Sequence, residues 1–230
     1  MTLHIGLLVF PNVQQLDLTG PYDVFATMPG VVVHLVWKNL EPLQSSTGLT
    51  LVPTATFADC IDLDVICVPG GVGVDVLMED AQTLAFIQHQ AATAQYVTSV
   101  CTGALVLGAA GLLKGRRATT HWASHSLLEQ FGAIPVRERV VRDGNLMTGG
   151  GVTAGIDFAL TLISEVFDAD TARTIQLQLE YAPAPPYDSG RPDSAPANIL
   201  AVATDRAMQG LLARRQIVER VTAAMDNGRV

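Results

Sequence analysis

The sequence predicts an α/β fold built as a three-layer sandwich: a mainly parallel sheet between two layers of helices, with an antiparallel hairpin at one end. Three observations carry that expectation. Four short runs are apolar almost throughout instead of alternating, as strands covered on both faces are. The segments between them carry helical spacing and helix-start signals, and such alternation favours parallel strands joined by crossover helices. One later segment sets an Asp-Gly pair between two alternating runs, a hairpin signature.

The strands are expected at 4–10 (HIGLLVF), 31–37 (VVVHLVW), 64–69 (DVICVP) and 95–100 (QYVTSV). Thr19 can cap a helix that opens at Gly20-Pro21 and runs through YDVFATM, because proline is tolerated in a first turn that needs no N–H. Residues 79–94 place Leu84, Ile87 and Ala91 at helical spacing. After RRATTHW the pattern changes, and in AIPVRERVVRDGNLMTGG the pair Asp143-Gly144 predicts a type I′ turn. Helices are then expected at 153–167 and 169–180, followed by a proline-rich loop at 182–197 and a last amphipathic helix at 198–227. In that helix Leu211, Leu212, Ile217 and Val221 are spaced for one apolar face, to pack on its own domain or across a dimer. No internal repeat or linker divides the chain, so 1–230 reads as one domain. The proline-rich loop is long for a connector, and such loops are often site walls or subunit contacts.

Of the 230 residues 49% are hydrophobic, enough for a full core. Acidic residues outnumber basic ones 22 to 14, the formal net charge is −8, and there is no run of Lys or Arg. A nucleic-acid partner is therefore not expected. The first apolar run stops at Pro11 without a basic leader or cleavage site, and no run approaches the roughly 20 apolar residues of a membrane span. A cytoplasmic protein with no membrane contact is expected. Three cysteines, Cys60, Cys67 and Cys101, are odd in number and lack CxxC spacing, which supports neither a disulfide framework nor a zinc site.

Cys101 stands where a strand should end and a helix begin, in YVTSVCTGALVLGAAGLL. At that junction of a parallel sheet a side chain points into the crevice where ligands bind. A sharp turn there would present the thiol and the next amide, that of Thr102, to the same space. A helix N-terminus lowers a thiol's pKa, so a thiolate is expected, with Gly103, Ala104, Gly108 and Ala109 keeping the helix thin against the sheet. The plainer reading, a buried small hydrophobe, holds for Cys60 and Cys67 and stays open for Cys101.

A working thiol needs a proton-handling neighbour from another strand end. Asp17, between Leu16 and Leu18 in the loop after the first strand, fits that role, although the residues alone favour a turn or helix-start carboxylate beside Thr19. At these residues a resemblance emerges. QLDLTGPYDVF, DVICVPGG, SVCTGALVLGAAGLLKGRRATTHW and DGNLMTGGGVTAGIDFAL resemble the ThiJ/PfpI superfamily of flavodoxin-like cysteine proteins, and Asp17 with Cys101-Thr102 is most similar to its isocyanide hydratase branch.

The resemblance implies a flavodoxin-like sandwich, a homodimer, no cofactor, and a small isocyanide as substrate. It implies Cys101 as nucleophile and Asp17 as its carboxylic partner, with Gly71 and Thr102 offering N–H groups to the substrate. In the implied hydration, sulfur attacks the isocyanide carbon, a thioimidate forms, and Asp17 activates water to release an N-substituted formamide. Many members have glutamate where Asp17 stands, and the protease-like members have histidine where Thr102 stands; without that imidazole, amide hydrolysis lacks its general base. The Thr102 hydroxyl would orient substrate or water, or else satisfy helix-start amides. Tyr181, heading the proline-rich loop, would reach the substrate.

His121 and His125 are spaced i and i+4 in THWASH, but no third ligand is in view and a capped helix start after Thr120 accounts for them; His121 could also approach the thiol. PGGVG and TGGGVTAG match no phosphate-binding loop. The rival of another class is a ligand-sensing domain, since DLTGPYDVF and CTGALVLGAAGLL also resemble the sensor domains of AraC-type regulators. Glyoxalase or protein-repair activity would instead favour the absent glutamate and histidine.

Overall fold

The structure, a computed structural model, describes residues 2–227. A seven-stranded sheet forms its centre. In chain order its strands are β1 (Leu3–Leu8), β2 (Val31–Trp37), β3 (Ala55–Thr56), β4 (Val65–Val68), β5 (Tyr96–Val100), β6 (Val140–Asp143) and β7 (Leu146–Gly149). The spatial order is β6-β7-β5-β4-β1-β2-β3, and all neighbours are parallel except β6 and β7. The helices are α1 (Gln15–Ala26), α2 (Val74–Leu77), α3 (Ala81–Ala91), α4 (Gly103–Ala109), α5 (Ala154–Val166), α6 (Ala169–Gln178) and α7 (Ala197–Asp226). Helices α1 and α5 pack together on one face of the sheet, with α6 against α5; α3 and α4 cover the other, with α2 against α4 and α7 outside it. This is the expected flavodoxin-like sandwich.

Double coverage explains the apolar runs of β4 and of the end of β1, where Val65, Ile66, Cys67 and Val68 and also Leu7 and Leu8 are fully buried. Strand β2, next to the short edge strand β3, departs from that expectation, since only its Val36 and Trp37 are buried and Val32 is exposed. Among the described residues no helix is long and apolar enough to cross a membrane.

The structure differs from the sequence reading at four places. Helix α1 starts at Gln15, so Asp17 lies on its first turn and Pro21 inside it. The local Thr-Gly-Pro signal is overridden because Gln14 N–H donates to Gly70 O (2.8 Å) and Val13 bridges Gly71, which fixes the entry earlier. Thr19 does not cap; its hydroxyl donates back to Gln15 O (3.0 Å). In the hairpin Asp143 pairs with Leu146, so the central residues are Gly144-Asn145. Only Gly144 has positive φ (59°), the pattern of a type II′ turn with glycine first. The capped helix start expected after Thr120 is present, with the His121 ring accepting from Ala123 N–H, but the helix that follows (Trp122–Phe131) is of the 3-10 type. Finally, two small ribbons lack any strong sequence signal: Leu43–Gln44 with Thr50–Leu51, and Arg117–Ala118 with Ile134–Pro135.

Close approach, not flexibility, explains the glycine that opens α4. A Cβ on Gly103 would lie 1.9 Å from the Val68 carbonyl oxygen, a backbone atom of β4 that cannot swing away. Gly103→Ala should therefore destabilise the protein by about 2 kcal/mol or more, since overpacking a rigid contact costs that order. A urea titration of the variant checks this, and Gly190→Ala, with open space at its Cβ, should leave the midpoint unmoved.

Candidate active site

Turns at the carboxyl ends of β1, β4, β5 and β7 meet at one rim of the sheet. Cys101 follows β5 directly and adopts φ 56°, a left-handed backbone that L-residues adopt at a cost of order 1–3 kcal/mol. Three hydrogen bonds hold it there. Its N–H donates to Gly149 O (3.0 Å) and Gly150 O (2.8 Å), and its carbonyl accepts from Thr120 Oγ1 (2.7 Å). The sharp turn expected for a nucleophile is present, with the cysteine 5% exposed.

Asp17 reaches the same place from the first turn of α1 and is wholly buried. Its Oδ2 accepts from Gly70 N–H (2.9 Å), and its carboxyl lies beside the Cys101 thiol, close enough for each group to shift the other's titration. Oδ1 is shut away from solvent with no hydrogen-bond partner among the described residues. Gly70 has to be glycine for this approach, because a Cβ would meet Thr102 N, Asp17 Oδ2 and Thr102 Oγ1 at 2.6–2.7 Å. Thr102 is the N-cap residue of α4 but makes no capping bond; its Oγ1 accepts from Gly71 N–H (3.0 Å) instead. The helix-start role for this hydroxyl is thereby replaced by a link between two strand-end turns. Gly71 N–H, expected to face substrate, is occupied by Thr102 Oγ1.

Burial pushes the Asp17 carboxyl up to about 7, against the partial relief of the Gly70 N–H and the Cys101 thiol. Burial, reinforced by the Asp17 charge, also pushes the Cys101 thiol well above its ordinary value, and the Thr102 N–H offsets only part of this. The expected thiolate is thus corrected to a thiol in the resting site. Helix α4 has only seven residues and the sulfur is nearly covered, so desolvation outweighs the helix dipole. Cys60 and Cys67 are pushed up to about 11 and about 12, first by burial, with the Asp62 charge adding to the shift of Cys60 and the Asp17 charge to that of Cys67.

Tyr181 lies elsewhere on the rim. Its hydroxyl donates to Asp157 Oδ2 (3.0 Å), which also accepts from Arg139 Nε (2.6 Å), so it braces the start of the proline-rich loop on α5. His121 is pushed below its ordinary value by burial and by the Arg214 charge, and His125 Nε2 bonds Val136 O (3.1 Å). Among the described residues no group of three His, Cys, Asp or Glu could hold a metal. Sequence reasoning missed Gly70, Thr120 and the paired carbonyls of Gly149 and Gly150. Only Gly70 left a signal, as the first glycine of VPGG.

A cysteine strained on a strand-to-helix turn, on a parallel sheet of this order, defines a class of protein, and the sequence profile of the DJ-1/PfpI family matches residues 4–165: the chain belongs to that family. It is 67% identical over 226 residues to the isonitrile hydratase of Pseudomonas putida, with 98% of this chain and 99% of the relative covered. The crystal structure of a ThiJ/PfpI family protein from Pseudomonas syringae matches with a TM-score of 0.93 at 43% identity, over 95% of this chain and 91% of that one. The HTH-type transcriptional regulator GbdR of Pseudomonas aeruginosa is 30% identical over 186 residues, covering 77% of this chain and 50% of the regulator.

Between pH 4 and about 7 the folded chain keeps a proton on Asp17 that the unfolded chain, with a carboxyl near 3.8, has lost. Stability therefore falls as pH rises through that window, by an amount of order 4 kcal/mol for a shift of this size. Asp17→Asn removes the ionisation while keeping an acceptor for Gly70 N–H. It should raise the urea midpoint at pH 8 and leave it nearly unchanged at pH 4.

Proposed function

We propose that this chain is an isocyanide hydratase, a lyase that adds water to R–N≡C to give an N-substituted formamide, with Cys101 as nucleophile and Asp17 as proton carrier. The observation that carries the reading is the pairing of a buried carboxyl, raised to about 7, with a buried thiol on a strained turn. The likeness to the P. putida isonitrile hydratase supports the substrate class.

The pair works as a unit holding one proton. As Cys101 Sγ attacks the terminal carbon, its proton passes to the Asp17 carboxylate and from there to that carbon, leaving the thioimidate R–N=CH–S. Asp17, again a carboxylate, takes a proton from water as the water oxygen adds to the same carbon and hands that proton to the nitrogen, giving R–NH–CH(OH)–S. The C–S bond then breaks, the C=O bond forms, and the thiol recovers its proton, so that one isocyanide and one water give one formamide. A buried carboxyl suits this cycle because its pKa near 7 lets it act as acid and base in turn. Thr102 holds Gly71 in place beside the reacting carbon, and Tyr181 acts on substrate through the loop it anchors. A homodimer in the cytoplasm, without a cofactor, membrane or nucleic-acid partner, completes the reading; the single-domain organisation of 1–230 belongs to it.

The test is incubation of the purified protein with cyclohexyl isocyanide and detection of the formamide by mass spectrometry. Cys101→Ala and Asp17→Asn should each lower kcat/KM at least about a thousandfold, the upper range for loss of nucleophile or proton carrier. Turnover unchanged in Cys101→Ala sinks the mechanism. The competent pair has lost one of its two protons, so kcat/KM should rise with pH along a limb centred near 7, where Asp17 ionises.

A further inference from the structure

Helix α7 lies beyond residues 4–165, the part that the family profile matches. Val218 and Val221 already fasten it to the core, and much of its first half is exposed. One charged side chain is nevertheless driven inward. Arg214, its side chain 12% exposed, places Nε 2.6 Å from Asp75 Oδ1 and Nη1 3.2 Å from the hydroxyl of buried Ser124. Desolvating a guanidinium is costly, and a helix held by valines has no need of it. Arg220 on the same helix pairs with Glu79 at the exposed surface, which is the ordinary arrangement.

The two partners of Arg214 sit beside the two turns that build the site. Asp75 is in α2, directly after the Gly70–Gly73 turn, whose N–H groups bond Asp17 and Thr102. Ser124 N–H donates to His121 O (2.9 Å), and the preceding residue, Thr120, holds the Cys101 carbonyl. The guanidinium therefore spans the support of Asp17 and the support of Cys101.

The geometry points to Arg214 as a positioning residue that keeps the Gly70–Gly71 turn in register with the Cys101 turn, so that Gly70 N–H stays on Asp17. The inference rests on reading Cys101 and Asp17 as the reacting pair. Without Arg214, Asp75 loses its counter-ion and Ser124 its partner, and α2 is free to shift with the turn it follows. The Gly70 N–H is a bond that holds the Asp17 carboxyl down, so loosening it moves Asp17 further up. The titratable groups set against Asp17 are the thiols of Cys101 and Cys67, and those set against Arg214 are Asp75 and His121.

Arg214→Met and Arg214→Lys in the full chain test this, with Arg220→Met as the control at the exposed pair. Two readouts are taken against pH: alkylation of Cys101 by iodoacetamide, read by mass spectrometry, and kcat and KM for cyclohexyl isocyanide. Arg214→Met should move the midpoint of both profiles upward by about half a pH unit or more. It should lower kcat about fivefold or more while KM changes less. Arg214→Lys, which keeps the charge but not the bridge, should fall between. Arg220→Met should leave the midpoints in place. A lowered melting temperature in Arg214→Met with both midpoints unmoved overturns the inference, as does an equal shift in Arg220→Met. If Arg214→Met does not fold, Arg214→Lys decides by the same midpoints. If the wild type does not turn over isocyanide, the functional reading fails, and the alkylation profile alone decides the role of Arg214.

Discussion

A carboxyl group with no exposure to water, set against a covered thiol, is the constraint around which the rim of the sheet is built. Neither group is comfortable there. Burial disfavours the charged form of each, and the charge of one disfavours the charge of the other, so the pair settles on sharing protons that isolated groups would release at different pH values. The fold tolerates this because the surrounding core is large and the cost is confined to one place.

Keeping the pair together explains features that otherwise look unrelated. Gly70 is bare so that its N–H can reach Asp17, and Gly103 is bare so that the helix after Cys101 can lie against β4. Cys101 holds a left-handed backbone because the carbonyls of Gly149 and Gly150 and the hydroxyl of Thr120 all grip its peptide. Thr102 spends its hydroxyl on Gly71 instead of on its own helix. Each is a local departure from what the segment would do alone, and each is held by a contact from another strand end.

Local rules read well where packing and pattern agree. The β-branched runs became strands of the central sheet, Leu84 and Ile87 lie on the buried side of α3, and the hairpin lies at the end of the sheet. They failed where a distant backbone atom competed. The start of α1 is set by Gly70, not by Thr19, and the hairpin turn is centred one residue later than Asp-Gly suggests. The thiol is the clearest case: its place before a helix argues for a thiolate, whereas its burial argues harder for a thiol.

By itself the sequence determined the layers and the strand runs and singled out Cys101, because apolar periodicity and the strand-to-helix junction are properties of neighbouring residues, while Asp17 stood out as its partner only through the family resemblance. Only the tertiary structure decided that Asp17 stands on a helix with one oxygen on Gly70, that Thr102 links two turns, and that a guanidinium from the last helix bridges Asp75 and Ser124. Those outcomes depend on which groups are brought together from up to 139 residues apart, and on how much water is removed when they meet.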